Sequence, residues 1–295
     1  MRIPLPPVPL PEHLAATALE YAEGRREPVA PRDAATVVLL REGVDGRPEV
    51  YLLRRQLSMD FAGGMAVFPG GGVDPRDYDA TVAWAGPSPA DWAARLGTGE
   101  DAARALVCAA VRETFEESGV LLAGSSAGEV VADTSGDDWE ADRVALESRE
   151  LSMTDFLNRR DLVLRTDLLG LWSAWLTPVF EPKRYRTWFF VAQLPGGQIT
   201  RDVSSESSSV VWLAAADAAE QAEDGAIAML PPTYLTCLEV GLVAEREGGT
   251  AAVQRVAHER SVEMFTPTVE PLGEGYTLSM PDHLRAEVAA RRSGS

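Results

Sequence analysis

The chain comprises 295 residues (31.8 kDa), 45% of them hydrophobic and 24% charged, the profile of a globular protein able to bury a substantial core. Its formal net charge of −18, from 27 Lys and Arg against 45 Asp and Glu, argues against a nucleic-acid partner, which needs clustered cations. No apolar run approaches the roughly 20 residues of a membrane span, and the prolines in Met1-Arg2-Ile3-Pro4-Leu5-Pro6-Pro7 interrupt any secretory core. Two cysteines, Cys108 and Cys237, supply no disulfide framework, so reduced thiols and a cytoplasmic location are expected.

A Pro-rich arm spans 1–32, with a short helix at 11–23. Two β-rich runs at 34–41 and 49–54 come next, joined as a hairpin by Gly43-Val44-Asp45-Gly46. A third strand at 65–68 runs into Gly70-Gly71-Gly72. A helix over 101–118 ends on Gly119 as C-cap, and a strand restarts at 120–122. Residues 123–150 are rich in Gly, Ser and acids and read as a loop excursion. The helix at 154–160 takes Thr154 as N-cap. Strands at 171–177, 187–194 and 209–213 alternate with helices at 214–221, 233–247 and 250–259. The last thirty-odd residues, with Pro267, Pro271 and Pro281, read as an extended surface tail. Hairpins mixed with crossovers predict an α+β fold around a mixed sheet.

The most informative stretch is Arg112-Glu113-Thr114-Phe115-Glu116-Glu117-Ser118-Gly119. At about 100° per residue, its three glutamates share roughly a third of the helix circumference. Like charges at these spacings cost a few tenths of a kcal/mol per pair, whereas hard divalent cations turn the repulsion into coordination. On the other side, Leu106, Val107, Ala110, Val111, Thr114 and Phe115 repeat as an apolar stripe. One face therefore packs on a core while the other presents carboxylates. Glycines upstream, in Phe68-Pro69-Gly70-Gly71-Gly72, permit positive φ and close backbone approach to a ligand.

Three other patterns carry less. Gly124-Ser125-Ser126-Ala127-Gly128 has the spacing of a serine-hydrolase nucleophile elbow, but the residues after it lack the helical stripe that motif requires. His13, His258 and His283 lack zinc-site spacing, and Cys108, with no histidine nearby, reads as packing.

Phe68-Pro69-Gly70-Gly71, followed by Arg112-Glu113-x-x-Glu116-Glu117-x-Gly119-Val120, resembles the Nudix hydrolase signature. Gly71 and Arg112 lie 41 positions apart where the family pattern has 14, so 27 residues are inserted, roughly 74–99. The acid that the family carries eight residues before the arginine is Arg104 here, leaving Glu100 or Asp101 to pair with Arg112. Such an interrupted box is similar to the branch that includes the peroxisomal coenzyme A diphosphatase. Trp175-Leu176-Thr177-Pro178, Arg184-Tyr185-x-Thr187-x-Phe189-Phe190 and Pro231-Pro232-Thr233 agree with it. A coenzyme A motif of other branches has arginine where this chain has Asp60.

The resemblance implies an α/β/α sandwich with a mixed β-sheet: an arm at 1–32, a Nudix domain at 33–222 with insertions near 74–99 and 123–160, and a helical extension at 223–295. It implies hydrolysis of a phosphoanhydride in a nucleoside diphosphate linked to another moiety, with coenzyme A or an acyl-CoA as candidate. Mg²⁺ or Mn²⁺ would be held by Glu113, Glu116, Glu117 and a Gly71 carbonyl. Glu116 or Glu206 would take the proton from water, while Arg112 orients a glutamate. Arg54, Arg55, Arg184 and Gly70 are the candidates for substrate phosphates, and Glu206 also reads as an ordinary loop acid. The expected partner is a small molecule, with no nucleic acid or membrane and with a homodimer allowed for. The rival reading is a Nudix-fold module that binds without turnover, motivated by Arg104 and the long insertion.

Overall fold

The structure, a computed structural model, describes residues 9–57 and 62–293. Asp60, singled out in the sequence, lies outside them. A short strand β1 (Pro9–Leu10) and helix α1 (Glu12–Ala22) lead into the hairpin β2 (Arg32–Glu42) and β3 (Pro48–Arg55). These two strands pair only from Leu40 to Glu42 against Val50 to Pro48, then diverge. Two short strands fill the fork between them. β4 (Ala66–Val67) pairs with Arg54 and Leu53 of β3, and β5 (Gly70–Gly72) pairs with Thr36, Ala35 and Ala34 of β2. The glycines are thus a rung of the sheet, not a free loop. None of the three has positive φ; in this region Gly64 does.

The inserted segment is ordered. Pro75–Tyr78 forms a 3₁₀ turn, succeeded by β6 (Trp84–Ala85) and α2 (Pro89–Leu96). Helix α2 begins at a Ser88–Asp91 capping box with Pro89 in its first turn and ends on Gly97 at φ 66°. Its Trp92 is fully buried in the main core. The glutamate-bearing helix α3 (Glu100–Ser118) stops at Gly119, whose φ of 73° suits a residue without a Cβ.

Between α3 and residue 160, the structure departs from the sequence reading in three places. Residues 120–122 are buried but form no strand. The side-chain amide of Gln198 stands in for a neighbouring strand, accepting from the Leu121 N–H at 2.8 Å and donating to the Leu121 carbonyl at 2.9 Å. After the short strand β7 (Ala123–Gly124), the expected loop excursion contains helix α4 (Asp137–Glu147). Helix α5 (Met153–Arg159) is capped by Ser152, whose Oγ accepts from the Asp155 N–H at 3.1 Å, and not by Thr154, which is buried.

β8 (Val163–Arg165) joins β6 and β7 in a small sheet, and β9 (Leu169–Leu176), β10 (Tyr185–Gln193) and β11 (Ser207–Ala214) complete most of the large one. Helices α6 (Ala215–Glu223), α7 (Pro231–Glu247) and α8 (Gly249–Glu259) come next, then β12 (Met264–Phe265), the hairpin β13 (Val269–Leu272) and β14 (Gly275–Leu278), and α9 (Asp282–Ser293). The expected extended tail is therefore a hairpin and a helix, and β1 pairs with β14.

The large sheet runs β11-β3-β2-β10-β9-β12, with β10 parallel to β2 and β9 antiparallel to β10. Strand alternation sorts its side chains between two layers. Val37, Leu39, Tyr51, Leu53, Trp188 and Phe190 join α3 on one side. Val38, Leu40, Val50, Leu52, Phe189 and Val191 join α6, α7 and α8 on the other. The result is an α/β/α sandwich with a mixed sheet.

Candidate active site

Strand β5 and the C-terminal half of α3 face each other across the fork, and the contact is made by carboxylates. A Cβ at Gly71 would lie 2.5 Å from Glu113 Oε1 and 2.7 Å from Oε2, so only glycine admits Glu113 here. The reason for this glycine is close approach, not the positive φ expected from sequence. The Gly70 N–H donates to Glu117 Oε2 at 2.8 Å. Gly70 is itself confined by β2, since a Cβ there would meet the Ala35 carbonyl oxygen at 2.5 Å.

The glutamates are not on a solvated face. Glu116 and Glu117 are 7% and 8% exposed, and Arg112 is 8% exposed. Burial, with the neighbouring Glu113 charge next, pushes Glu116 up to about 7. Burial and Glu113 likewise raise Glu117 well above the usual carboxylate range, with the Gly70 N–H opposing. Glu113 is raised by burial and held back by Arg112.

Arg112 ties this cluster together. Its Nη1 donates to Glu113 Oε1 at 2.8 Å and to Glu116 Oε2 at 3.2 Å, and its Nη2 donates to the Gly72 carbonyl at 3.1 Å. The remaining edge meets Asp77 of the inserted 3₁₀ turn, Nε to Oδ1 at 3.0 Å and Nη2 to Oδ2 at 2.9 Å. Neither Glu100 nor Asp101 is the partner, because both sit in the first turn of α3, more than two turns before Arg112. Arg104 instead lies over the ring of Trp84, 5.6 Å from its centroid. Asp77 was missed from sequence; its one local signal is Asp74-Pro75-x-Asp77, a capping box that seats both acids in one turn. Cys108, read as packing, is buried with its Sγ 3.6 Å from Asp77 Oδ1.

Glu206, just before β11, pairs with Arg55 at 2.9 Å, and its charge is felt by both Glu113 and Glu117. Arg55 bears on Glu117 in turn, and its Nε is buried with no hydrogen-bond partner among the described residues. Arg54 is exposed and, among the described residues, reaches only the Gly64 carbonyl, at 3.4 Å. Arg184 is 6% exposed, with its guanidinium given to the Thr177 and Val29 carbonyls at 3.1 and 3.0 Å. The fold therefore gathers Glu113, Glu116, Glu117, Glu206, Gly70, Gly71, Arg112 and Arg55, and it spends Arg184 on fastening the start of β10.

Among the described residues no three acid, His or Cys side chains already converge as a metal cage. The donor set nevertheless fits a hard divalent cation. Three carboxylates, all pushed toward protonation by burial and two also by Glu113's charge, face a glycine strand that lets Glu113 approach its backbone closely, and oxygen donors of this kind suit Mg²⁺ or Mn²⁺. The serine pattern fares otherwise: Ser125 is exposed and bonds Glu129, and no helix begins until α4.

A crystal structure of a NUDIX hydrolase from Alicyclobacillus acidocaldarius superposes with a TM-score of 0.63 at 26% identity, covering 77% of this chain and 96% of that one. The NUDT19 Nudix domain family model matches residues 97–239. These likenesses support a Nudix hydrolase that resembles NUDT19. Among curated Nudix relatives, nudix hydrolase 7 of Caenorhabditis elegans is 28% identical over 68% of this chain. Acyl-coenzyme A diphosphatase NUDT19 of Xenopus laevis is 26% identical over 63% of it. The matches span 57% and 58% of the lengths of those two Nudix proteins. The Nudix glycine strand β5 lies upstream of the family-model match, on the far side of the inserted segment.

Proposed function

We propose that this Nudix protein is a metal-dependent diphosphatase that cleaves the phosphoanhydride of a nucleoside diphosphate joined to another group, with coenzyme A or an acyl-CoA as substrate class. The observation that carries the reading is the trio set against β5, with Glu116 and Glu117 buried and Glu113 partly buried. A non-catalytic binder has no use for three carboxylates in that position. Glu113 and Glu117 would hold Mg²⁺ or Mn²⁺, with Glu116 completing the set and a Gly71 carbonyl facing it. When bound, such ions neutralise the non-bridging phosphate oxygens and ease deprotonation of the attacking water. Glu206, held by Arg55, would take that proton, and Glu116 is the other candidate. The unused Nε of Arg55 offers a charge-assisted donor to a substrate phosphate. The name of the Xenopus laevis relative supports the coenzyme A class.

The test is product analysis with coenzyme A, 3′-dephospho-coenzyme A, ADP-ribose, NADH and dinucleoside polyphosphates, each with and without Mn²⁺. Cleavage of coenzyme A to 3′,5′-ADP, with kcat/KM about tenfold above the dephospho form, is the expected result. Equal or faster turnover of the other compounds would remove the coenzyme A class and keep the chemistry. No turnover of any would leave the non-catalytic reading.

A further inference from the structure

We propose that a cavity walled by the C-terminal elements is a second ligand site, built for an uncharged, amino-bearing heteroaromatic ring of the adenine kind. It measures about 620 Å³ and lies between β9, α7, β12 and the start of α9. Trp172 and Trp175 line it and pack with α7 and α8, so it occupies the face of the sheet turned away from α3 and the glutamate trio. The diphosphate chemistry makes no use of it.

Three features of the walls define the ligand. Trp175 and Phe265 stand edge to face with ring centroids 4.9 Å apart, an aromatic surface for a flat molecule. Trp172 is 1% exposed, and its indole N–H meets no acceptor among the described residues. A buried donor of this kind calls for an acceptor on the ligand. Glu239 is the complementary acceptor. Its Oε1 takes Arg260 Nη2 at 2.7 Å and lies 2.9 Å from His283 Nε2, whereas Oε2 takes Arg260 Nη1 at 3.1 Å. A carboxylate has about four lone-pair sites, so Glu239 has capacity left for an amino group. Burial opposes its charge, but hydrogen bonds from His283 and Arg260 hold the carboxyl below its ordinary value. Arg260 joins the two walls: its guanidinium lies 4.3 Å from the centroid of the Trp172 ring and donates to the Trp172 carbonyl at 2.8 Å. Adenine carries the matching pair, a ring-nitrogen acceptor beside an exocyclic amine.

Charge sets the remaining limit. Glu239, Glu263, Glu270 and Asp282 line the cavity against Arg260 and Arg285, and Arg285 is already paired with Glu270 and Asp282. A phosphate would meet carboxylates and two committed arginines, so the site selects a base or nucleoside over a nucleotide. A quaternary ammonium suits the acids but gives Trp172 no acceptor.

Isothermal titration calorimetry of the full chain with adenosine, inosine, AMP and choline tests this. Adenosine should bind with a Kd below about 1 mM. Inosine has a carbonyl in place of the amine and sets an acceptor against Glu239, and AMP adds the phosphate. Each should bind about tenfold or more weakly. Trp172→Phe keeps a ring but deletes the N–H, and should weaken adenosine about tenfold, with near-UV circular dichroism confirming the fold. The ligand series on the wild type decides the matter if that variant does not fold. No adenosine binding, inosine, AMP or choline bound as tightly, or unchanged affinity in folded Trp172→Phe would overturn the proposal. Diphosphate cleavage without adenosine binding would defeat this inference alone, and adenosine binding without cleavage would defeat the functional reading alone.

Discussion

Gly70 and Gly71 of β5 do different jobs, and alanine separates them. At Gly71 the added methyl meets a carboxylate, which can swing aside; at Gly70 it meets the β2 backbone, which cannot. Gly71→Ala should therefore fold normally and lose activity by about tenfold or more as Glu113 leaves its place, whereas Gly70→Ala should lower stability by about 1–3 kcal/mol. Thermal melts beside a turnover assay check both, and the reverse ordering would refute this division. The trio also leaves a mark on stability. Because Glu116 rises to about 7 in the folded chain, against about 4.3 when unfolded, the folded state binds more protons between those values. That contribution is present below the lower value and lost as pH rises through the upper one. In chelator, the Tm of the wild type should fall relative to Glu116→Gln between about pH 4.5 and 7, and saturating Mn²⁺ should abolish the difference. A difference that stays flat across that window would show that the trio is not strained. These residues were legible in the sequence because their spacing is local. Asp77 was not, since a pairing across 35 positions is set by how the insertion folds.

Among the elements, α3 was readable from its stripe and its glycine stop, and the main strands from their β-branched and aromatic runs. Helix α4 was not, because the Gly-, Ser- and Asp-rich residues 124–138 hide the Trp139–Leu146 face behind them. Its omission concealed how the glutamate helix ends. Arg143 of α4 is 3% exposed and donates to the Glu116 carbonyl at 2.7 Å, while also pairing with Glu140 and Glu147. Arg201 closes against Gly119 and shares Glu140. Two cations at the carboxyl end of α3 complement its dipole. Arg143→Met keeps much of the bulk but orphans a buried carbonyl and takes a cation away from Glu140 and Glu147. It should cost about 1–3 kcal/mol in denaturant unfolding and loosen Glu116; unchanged stability would show that water replaces the guanidinium without loss.

For the whole molecule, the sandwich could be anticipated from hairpins and crossovers, but its closure could not. Nothing in the prolines of the last thirty residues announces a hairpin, because its partner is β1, at the far end of the chain. The order in which the ribosome delivers these pieces has its own consequence. The glutamate helix is complete by Ser118, yet the central partner of β2 is β10, at 185–193, and Glu206 and the layer of α6 to α8 come later still. At about 5–20 residues per second, Leu10 waits roughly 10–50 s for Tyr276. For most of that time the three carboxylates are made but have no complete sheet to lie against. Nascent chains stalled after residue 150 should therefore be cut by protease within α3, whereas chains long enough to free residue 260 should protect it. Protection already present in the shorter chains would mean that α3, β2 and the insertion form a stable unit before the rest of the sheet arrives.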